Sequence, residues 1–452
     1  MGNLLIVSNR LPVSVTIRGN KISYKPSTGG LATGLGSLFK GSFEGKWIGW
    51  PGVSGKKLTA HMKQDIADTL NNDRFVPVFL TQSDIDNYYS GFSNRTIWPL
   101  FHYFTQYTEF NNNHWKAYKK VNQIFCDKVI REAKAGDIVW VHDYQLLLLP
   151  QMLREKMPGL TIGFFLHIPF PSFEVFRILP WRSEILEGML GADLIGFHIF
   201  DYARHFLSSL RNRFGIEHVF GKIQNELRLV KIDSFPMGID YERFAQAGNS
   251  HAVNAIIRKY KTRLKNQNIM LSVDRLDYTK GIIGRLRAYD QFLDKYPVYR
   301  GKVTLILVAV PSRTKVDYYR RLKKEVDEFV GHINGKFGSM GWSPVVYIYN
   351  FLDFNELNAL YNLADVCLVT PERDGMNLIA KEYVASKSKK MGVLILSEMA
   401  GAAKELNNAL IVNPNNIDRV VEAIHKALTM PEKEQIKRNI TMQEHLKRYD
   451  VT

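Results

Sequence analysis

Ten short apolar runs, rich in Val, Ile, Leu and Phe, alternate with helix-forming stretches along this chain, and that rhythm restricts the fold more than any other feature. They are Leu4 to Val7, Phe75 to Leu80, Ile138 to Val141, Thr161 to Leu166, Leu194 to Phe197, Ile269 to Val273, Val303 to Val308, Val345 to Tyr349, Val366 to Val369 and Val393 to Leu396. A strand with one wet face alternates apolar and polar residues, whereas these runs are continuous, as strands covered by helices on both faces are. An α/β fold with parallel sheets follows. At 452 residues the chain is long for one core, which predicts two domains of roughly 200 residues each. The polar stretch Ala245 to Asn268 reads as the crossing, so the domains are expected at 1–245 and from 246 onward.

In such sheets ligands bind at the carboxyl ends of the strands, and the helix that follows offers free backbone amides to an anion. Two loops of this kind stand out. Ile269 to Val273 leads into a loop with Arg275 and Lys280; Val366 to Thr370 leads into one with Asp374, Gly375, Met376 and Asn377, followed by Leu378 and Glu382. One loop brings two cations, the other a helix N-terminus and two carboxylates, a cradle suited to a sugar linked to a diphosphate. Glu382 sits one helical turn above the amides, where it can accept from ribose hydroxyls. Arg313, after the strand Val303 to Val308, places a guanidinium at the same sheet edge, and its donor fork matches phosphate.

The first half carries further candidates. Arg10 ends the first strand, and Gly29 and Gly30 precede a helix-like stretch where backbone can approach a phosphate or sugar closely, although such a pair also serves as a plain turn. Trp47 and Trp50, with Tyr89 and Trp98 in the segment Tyr88 to Pro99, suit a hydroxyl-rich ring bearing phosphate; packing is their alternative reading. Asp143 and His167 close neighbouring strands. The first can hold sugar hydroxyls, and the second can hydrogen-bond or move a proton. His142 beside Asp143 is not a metal pair, because adjacent strand positions point to opposite faces and no third ligand follows at useful spacing.

With 60 basic and 44 acidic residues the chain carries +16, which favours polyanionic partners. Nucleic acid is disfavoured because the excess is spread out. The richest runs, Arg320 to Lys324 and Arg258 to Lys261, have the spacing of solvated helix faces. Cys126 and Cys367 lie among apolar neighbours and read as buried spectators. No apolar run approaches the roughly 20 residues that cross a bilayer, and no basic leader precedes the first strand, so a cytoplasmic protein is expected.

Taken together, Arg10, Gly29-Gly30, Trp47 to Gly52, Tyr89 to Trp98, His142 to Tyr144, His167 to Pro171, Ser272 to Gly281 and Arg373 to Val384 resemble the trehalose-6-phosphate synthase family, in order, over nearly the whole chain. The resemblance implies a B-type glycosyltransferase fold. In that fold two Rossmann-like domains face each other across a cleft, and the final helix, 432–452, returns to the first domain. It implies transfer of glucose from UDP-glucose to glucose 6-phosphate with retention of configuration, and no metal or other cofactor. By the same resemblance Arg275 and Lys280 grip the donor diphosphate, Leu378 and the amides around Gly375, Met376 and Asn377 support it, and Glu382 holds the ribose. Asp374, His167, Gly29 and Gly30 belong to the donor-sugar site, and Asp143 lies near the reacting centre. Arg10, Tyr89, Trp98 and Arg313 form the acceptor-phosphate set, with Trp47 or Trp50 against the acceptor ring.

Two rivals keep the fold: another acceptor, as in glucosylglycerol-phosphate synthase, or a non-catalytic sugar-nucleotide sensor. No Asp-x-Asp-x-Thr motif appears, so phosphatase activity is not expected, while the charged end of the chain leaves room for a longer parent protein carrying such a unit. Oligomeric state is not legible, and a homo-oligomer stays open.

Overall fold

The computed structural model describes residues 2–19, 21–26, 45–55, 58–225, 228–264, 267–313, 316–389 and 391–452. The chain divides into two compact units, Met1–Pro236 and Met237–Thr452. This division falls nine residues before the expected crossing near 245. It groups the final helix, Glu432–Arg448, with the second unit, where that helix packs on Tyr241–Ala247 and Leu378–Ser386.

The first unit holds an eight-stranded sheet in the order Phe75–Pro77, Gly45–Trp50, Leu4–Arg10, Ile138–His142, Thr161–Leu166, Leu194–Phe197, Arg228–Ser234, Lys222–Asn225. Neighbours pair parallel except the last two, which form an antiparallel edge. The strand order reverses between Leu4–Arg10 and Ile138–His142. Such a reversal leaves a crevice at the carboxyl ends of the two strands, because their connections leave toward opposite sides. Arg10 and Asp143 stand at those two ends.

The second unit repeats the arrangement with six parallel strands, Val345–Ile348, Val303–Val310, Asn268–Arg275, Val366–Val369, Val393–Ser397, Leu410–Val412. Here the reversal lies between Asn268–Arg275 and Val366–Val369, the two strands that feed the Arg275 and Asp374 loops. Alternation along each strand builds two cores. Met270, Leu305, Leu307 and Leu368 face one layer of helices, and Ile269, Leu271, Val308 and Val369 the other. Covering both faces is what made the strand sequences continuously apolar, and all ten expected runs overlap strands of these sheets, although the strand in Phe75 to Leu80 stops at Pro77.

Strands the sequence did not reveal include Gly45–Trp50, Arg228–Ser234 and Leu410–Val412, which are short or interrupted by polar residues. Cys126 and Cys367 are buried, and burial pushes their thiols up to about 11 and about 12, so neither is a ready nucleophile. The runs at Arg258 and Arg320 lie on helices His251–Leu264 and Asp317–Phe337, with Arg320, Arg321 and Lys324 exposed.

Gly49 shows how tightly the first sheet is drawn at its site end. A Cβ there would stand 2.9 Å from both the Leu11 amide nitrogen and the Ser8 carbonyl oxygen, where the Leu4–Arg10 pairing shifts register. Gly49→Ala is expected to cost about 1–3 kcal/mol, as overpacking does, read as a lowered thermal midpoint. An unchanged midpoint would show that the strand end yields.

Candidate functional site

At the reversal point of the first unit, Arg10 donates from Nη2 to Ser14 Oγ at 3.0 Å and lies over the Trp50 ring, 4.6 Å from its centroid. Gly52 makes room for it: a Cβ there would come within 2.4 Å of the guanidinium. Tyr89 joins the group, its ring 6.1 Å from that of Trp50. Tyr89 belongs to a π-helix, Ile85–Ile97, whose wide turns are shown by the Trp98 amide reaching back to the Ser93 carbonyl. Such helices are rare and concentrate at functional sites. This one is tied down by Tyr88, which donates to Asn9 at 3.1 Å, and by Asn94, which accepts from Tyr144 at 2.9 Å. Trp98 follows, packed 5.6 Å from the Tyr144 ring.

Trp47 is a core residue, 1% exposed, and its Nε1 donates to Ser8 Oγ at 2.8 Å. The sequence left Trp47 or Trp50 for the acceptor ring; in this structure Trp47 lies in the core with Ile6, Leu11 and Val53. It props the strand end that carries Arg10, and Trp50 is the tryptophan beside that guanidinium.

Asp143 follows its strand with φ +76, a left-handed conformation strained for a residue with a Cβ. Its amide donates to the Phe165 carbonyl at 2.8 Å, and its Oδ1 accepts from the His167 amide at 3.2 Å. The His142 Nδ1 and His167 Nε2 lie 3.0 Å apart, one donating to the other. Burial, and then proximity to His167, hold the His142 imidazole well below its usual range, and burial brings His167 down to about 3. Both rings are neutral near pH 7. Among the described residues no group of three or more His, Cys, Asp or Glu could hold a metal ion.

At the second reversal point, Lys280 Nζ donates to Asp374 Oδ2 at 2.5 Å, with side chains 10% and 14% exposed. The same oxygen accepts from Asn377 Nδ2 at 2.9 Å. Asn377, at φ +80, caps the helix Leu378–Ser386 by accepting from the Ala380 amide at 3.1 Å. Gly375 and Met376 complete the loop; the Met376 carbonyl is held by the Ala402 amide at 2.7 Å. Arg275 ends its strand exposed. Glu382 accepts from the buried Tyr361 hydroxyl at 2.8 Å, and burial outweighs that bond in raising its carboxyl.

A family model described as glycosyltransferase family 20 matches residues 2–452. The chain belongs to glycosyltransferase family 20. It is similar to a bifunctional trehalose-6-phosphate synthase/phosphatase of Thermoproteus tenax, 44% identical over 99% of this chain and 62% of that protein, so the chain spans less than two thirds of that relative. The UDP-forming alpha,alpha-trehalose-phosphate synthase 56 kDa subunit of Saccharomyces cerevisiae is 44% identical over 95% of this chain and 88% of its own length. The crystal structure of a UDP-forming alpha,alpha-trehalose-phosphate synthase from Burkholderia xenovorans in complex with glucose-6-phosphate has a TM-score of 0.89 and 34% identity, covering all of this chain and 97% of that one. The resemblance read from the motifs holds, and with it the fold of two Rossmann-like domains on mainly parallel sheets.

Within this member of family 20 the structure gathers Arg10, Trp50 and Tyr89 in one cluster, Asp143 and His167 in a second, and Lys280, Asp374 and Asn377 in a third. Gly29 and Gly30 lie outside the described residues. Arg313 has a 6% exposed side chain and donates to Asp277 and Tyr319, each at 2.6 Å. Three residues that sequence reading passed over hold these groups in place. Tyr361 orients Glu382. Arg285, 1% exposed, donates to Asp274 at 2.7 Å, Thr370 at 3.1 Å and the Lys280 carbonyl at 2.9 Å. Asp277 is the third, and its Asp-Tyr-Thr spacing, typical of a turn cap, was a signal available in the sequence.

The neutral histidines make stability depend on pH. Between about pH 3 and the ordinary value of 6.5 the unfolded chain binds protons that folded His167 does not, so their contribution is present above pH 6.5 and is lost as pH falls toward 3. Thermal midpoints measured from pH 7 to pH 4 should fall less steeply for His167→Asn than for the wild type. Parallel curves would show that His167 protonates in the folded state.

Proposed function

We propose that this chain transfers glucose from UDP-glucose to glucose 6-phosphate, forming alpha,alpha-trehalose 6-phosphate and UDP with retention of the donor's configuration. The observation that carries the reading is the Lys280, Asp374 and Asn377 cluster at the strand reversal of the second unit, in a chain so similar to UDP-forming synthases. Lys280 and Arg275 take the diphosphate, and the amides at the start of Leu378–Ser386 receive its remaining charge. Glu382, oriented by Tyr361, accepts from the ribose. In the first unit Arg10 and Tyr89 recognise the acceptor phosphate, with Trp50 beside them and Trp98 behind. Arg313 is the acceptor-side cation of the second unit.

The chemical task is to let a diphosphate leave. Cations and amides already in position stabilise the charge that develops, with little reorganisation at the moment of bond breaking. Asp374, held by Lys280 and Asn377, is placed to accept from donor hydroxyls, and Asp143 from hydroxyls near the reacting carbon. A neutral His167 can hold a hydroxyl by hydrogen bonding but has no proton to lend as a cationic acid near pH 7. The acceptor attacks on the face from which UDP departs, and the donor phosphate takes its proton, so no carboxylate forms a glycosyl-enzyme. The reaction needs no metal or other cofactor. UDP-glucose and glucose 6-phosphate are the partners, not nucleic acid, in the cytoplasm.

Incubation with UDP-glucose and a panel of phosphorylated acceptors, with UDP release measured, tests the assignment. Release is expected with glucose 6-phosphate. Release with glycerol 3-phosphate alone would transfer the reading to the small-triol acceptor class, and none with any acceptor would leave a sugar-nucleotide sensor. Arg275→Ala and Lys280→Ala should each lower kcat by about 100-fold or more, on the scale of losing one preorganised donor, with the thermal midpoint of Arg275→Ala unchanged. Near-normal turnover in both would remove these cations from the mechanism.

A further inference from the structure

Asp277 has no exposed surface, yet four donors converge on its carboxylate. Oδ1 accepts from the Thr279 amide at 3.1 Å and the Thr279 hydroxyl at 3.0 Å, capping the 3-10 turn Tyr278–Lys280. Oδ2 accepts from Arg313 Nη1 at 2.6 Å and from the Tyr319 hydroxyl at 3.1 Å. The same Arg313 nitrogen lies 2.6 Å from the Tyr319 oxygen, so the three groups close a triangle. Burial alone would raise this carboxyl; Arg313 first, then Arg275 and Lys280, override it and hold it at about 2. Arg313 itself sits at φ +45, a backbone state that needs an outside hold.

We propose that Asp277 is a positioning residue that sets the donor-side and acceptor-side cations together: one oxygen fixes the turn carrying Lys280, and the other fixes the Arg313 guanidinium. This rests on the functional reading above. Two loops that leave adjacent strands, Asn268–Arg275 and Val303–Val310, would otherwise carry mutually repelling cations. A carboxylate between them offsets the repulsion and leaves the guanidinium in one orientation before any ligand arrives. Preorganisation of this kind raises affinity by removing an ordering cost. Tyr319, donating to the same oxygen, restricts the carboxylate to the rotamer that serves both loops.

The two oxygens make the role separable. Asn caps a turn about as well as Asp, so Asp277→Asn keeps an oxygen for the Thr279 amide while turning an NH2 group toward Arg313, donor against donor. The expected result is at least a tenfold rise in the KM for glucose 6-phosphate, with UDP affinity by calorimetry within threefold of wild type. Tyr319→Phe, which keeps the charge, should raise the same KM two- to tenfold and leave UDP binding alone. Equal losses of acceptor and UDP affinity in Asp277→Asn, or an acceptor KM within twofold of wild type, would overturn the proposal. If Asp277→Asn does not fold, Tyr319→Phe decides by the same split. Wild-type protein that releases no UDP from the substrate pair sinks the functional reading, whereas an active wild type with unaffected variants sinks only the role of Asp277.

Discussion

One buried guanidinium joins the parts of the second unit on which the candidate chemistry depends. Arg285 reaches Ser272 and Asp274 on one strand, the Lys280 carbonyl on the turn after it, and Thr370 at the end of the next strand. It therefore spans the reversal point, where two strands lie side by side but their connections depart to opposite sides. Burial outweighs the pull of Arg285 and Lys280 and raises the Asp274 carboxyl, a measure of how dry the place is. A buried pair of this kind is weak evidence of net stability against an apolar replacement, but losing one partner strands the other at a cost of about 3–5 kcal/mol. Its value lies in geometry: with Arg285 in place, the Arg275 and Lys280 loop and the Asp374 loop keep one relation to each other.

Local strain marks the same positions. Among the described residues six non-glycine residues have positive φ, and Asp143, Arg313 and Asn377 are three of them: the first two in loops leaving parallel strands, the third at the start of the helix Leu378–Ser386. Such conformations cost of the order of 1–3 kcal/mol apiece and persist where surroundings over-determine them. The surroundings here are specific. Asp143 is gripped by Phe165 and His167, Arg313 by Asp277 and Tyr319, and Asn377 by Asp374 and the helix amide it caps.

Electrostatics divide the labour between the two units. In the first, burial keeps His142 and His167 neutral, so they serve as directed hydrogen-bonding groups. In the second, cations and carboxylates stand in close pairs: Lys280 with Asp374, Arg313 with Asp277, Lys381 with Glu405. Lys381 lies on the site helix next to Glu382 and also donates to the Met237 carbonyl at 2.8 Å, which anchors that helix. Neutral groups suit sugar hydroxyls and fixed charges suit a departing diphosphate, which matches the roles proposed for each.

Most of the fold was legible because its cause is local. A strand covered on both faces must be apolar at successive positions, and a helix start after it must expose amides, so ten runs and two loops could be read from neighbours in sequence alone. Spacing also says that Trp47 and Trp50, three apart on one strand, point to opposite faces, but not which one meets the Arg10 guanidinium; that depended on the first strand, whose Ser8 accepts from Trp47 and whose Arg10 lies over Trp50. The π-helix was unreadable for a related reason, since its wide turns are held by Asn9 and Tyr144, far away in the chain. The sequence by itself determined the parallel α/β plan, the loops at the strand ends and the residue types they carry. Only the tertiary structure decided which buried charge meets which, as in Asp277 with Arg313 and Arg285 with Asp274, because a charge taken out of water is governed by its nearest partner in space, and that partner is chosen by strand order.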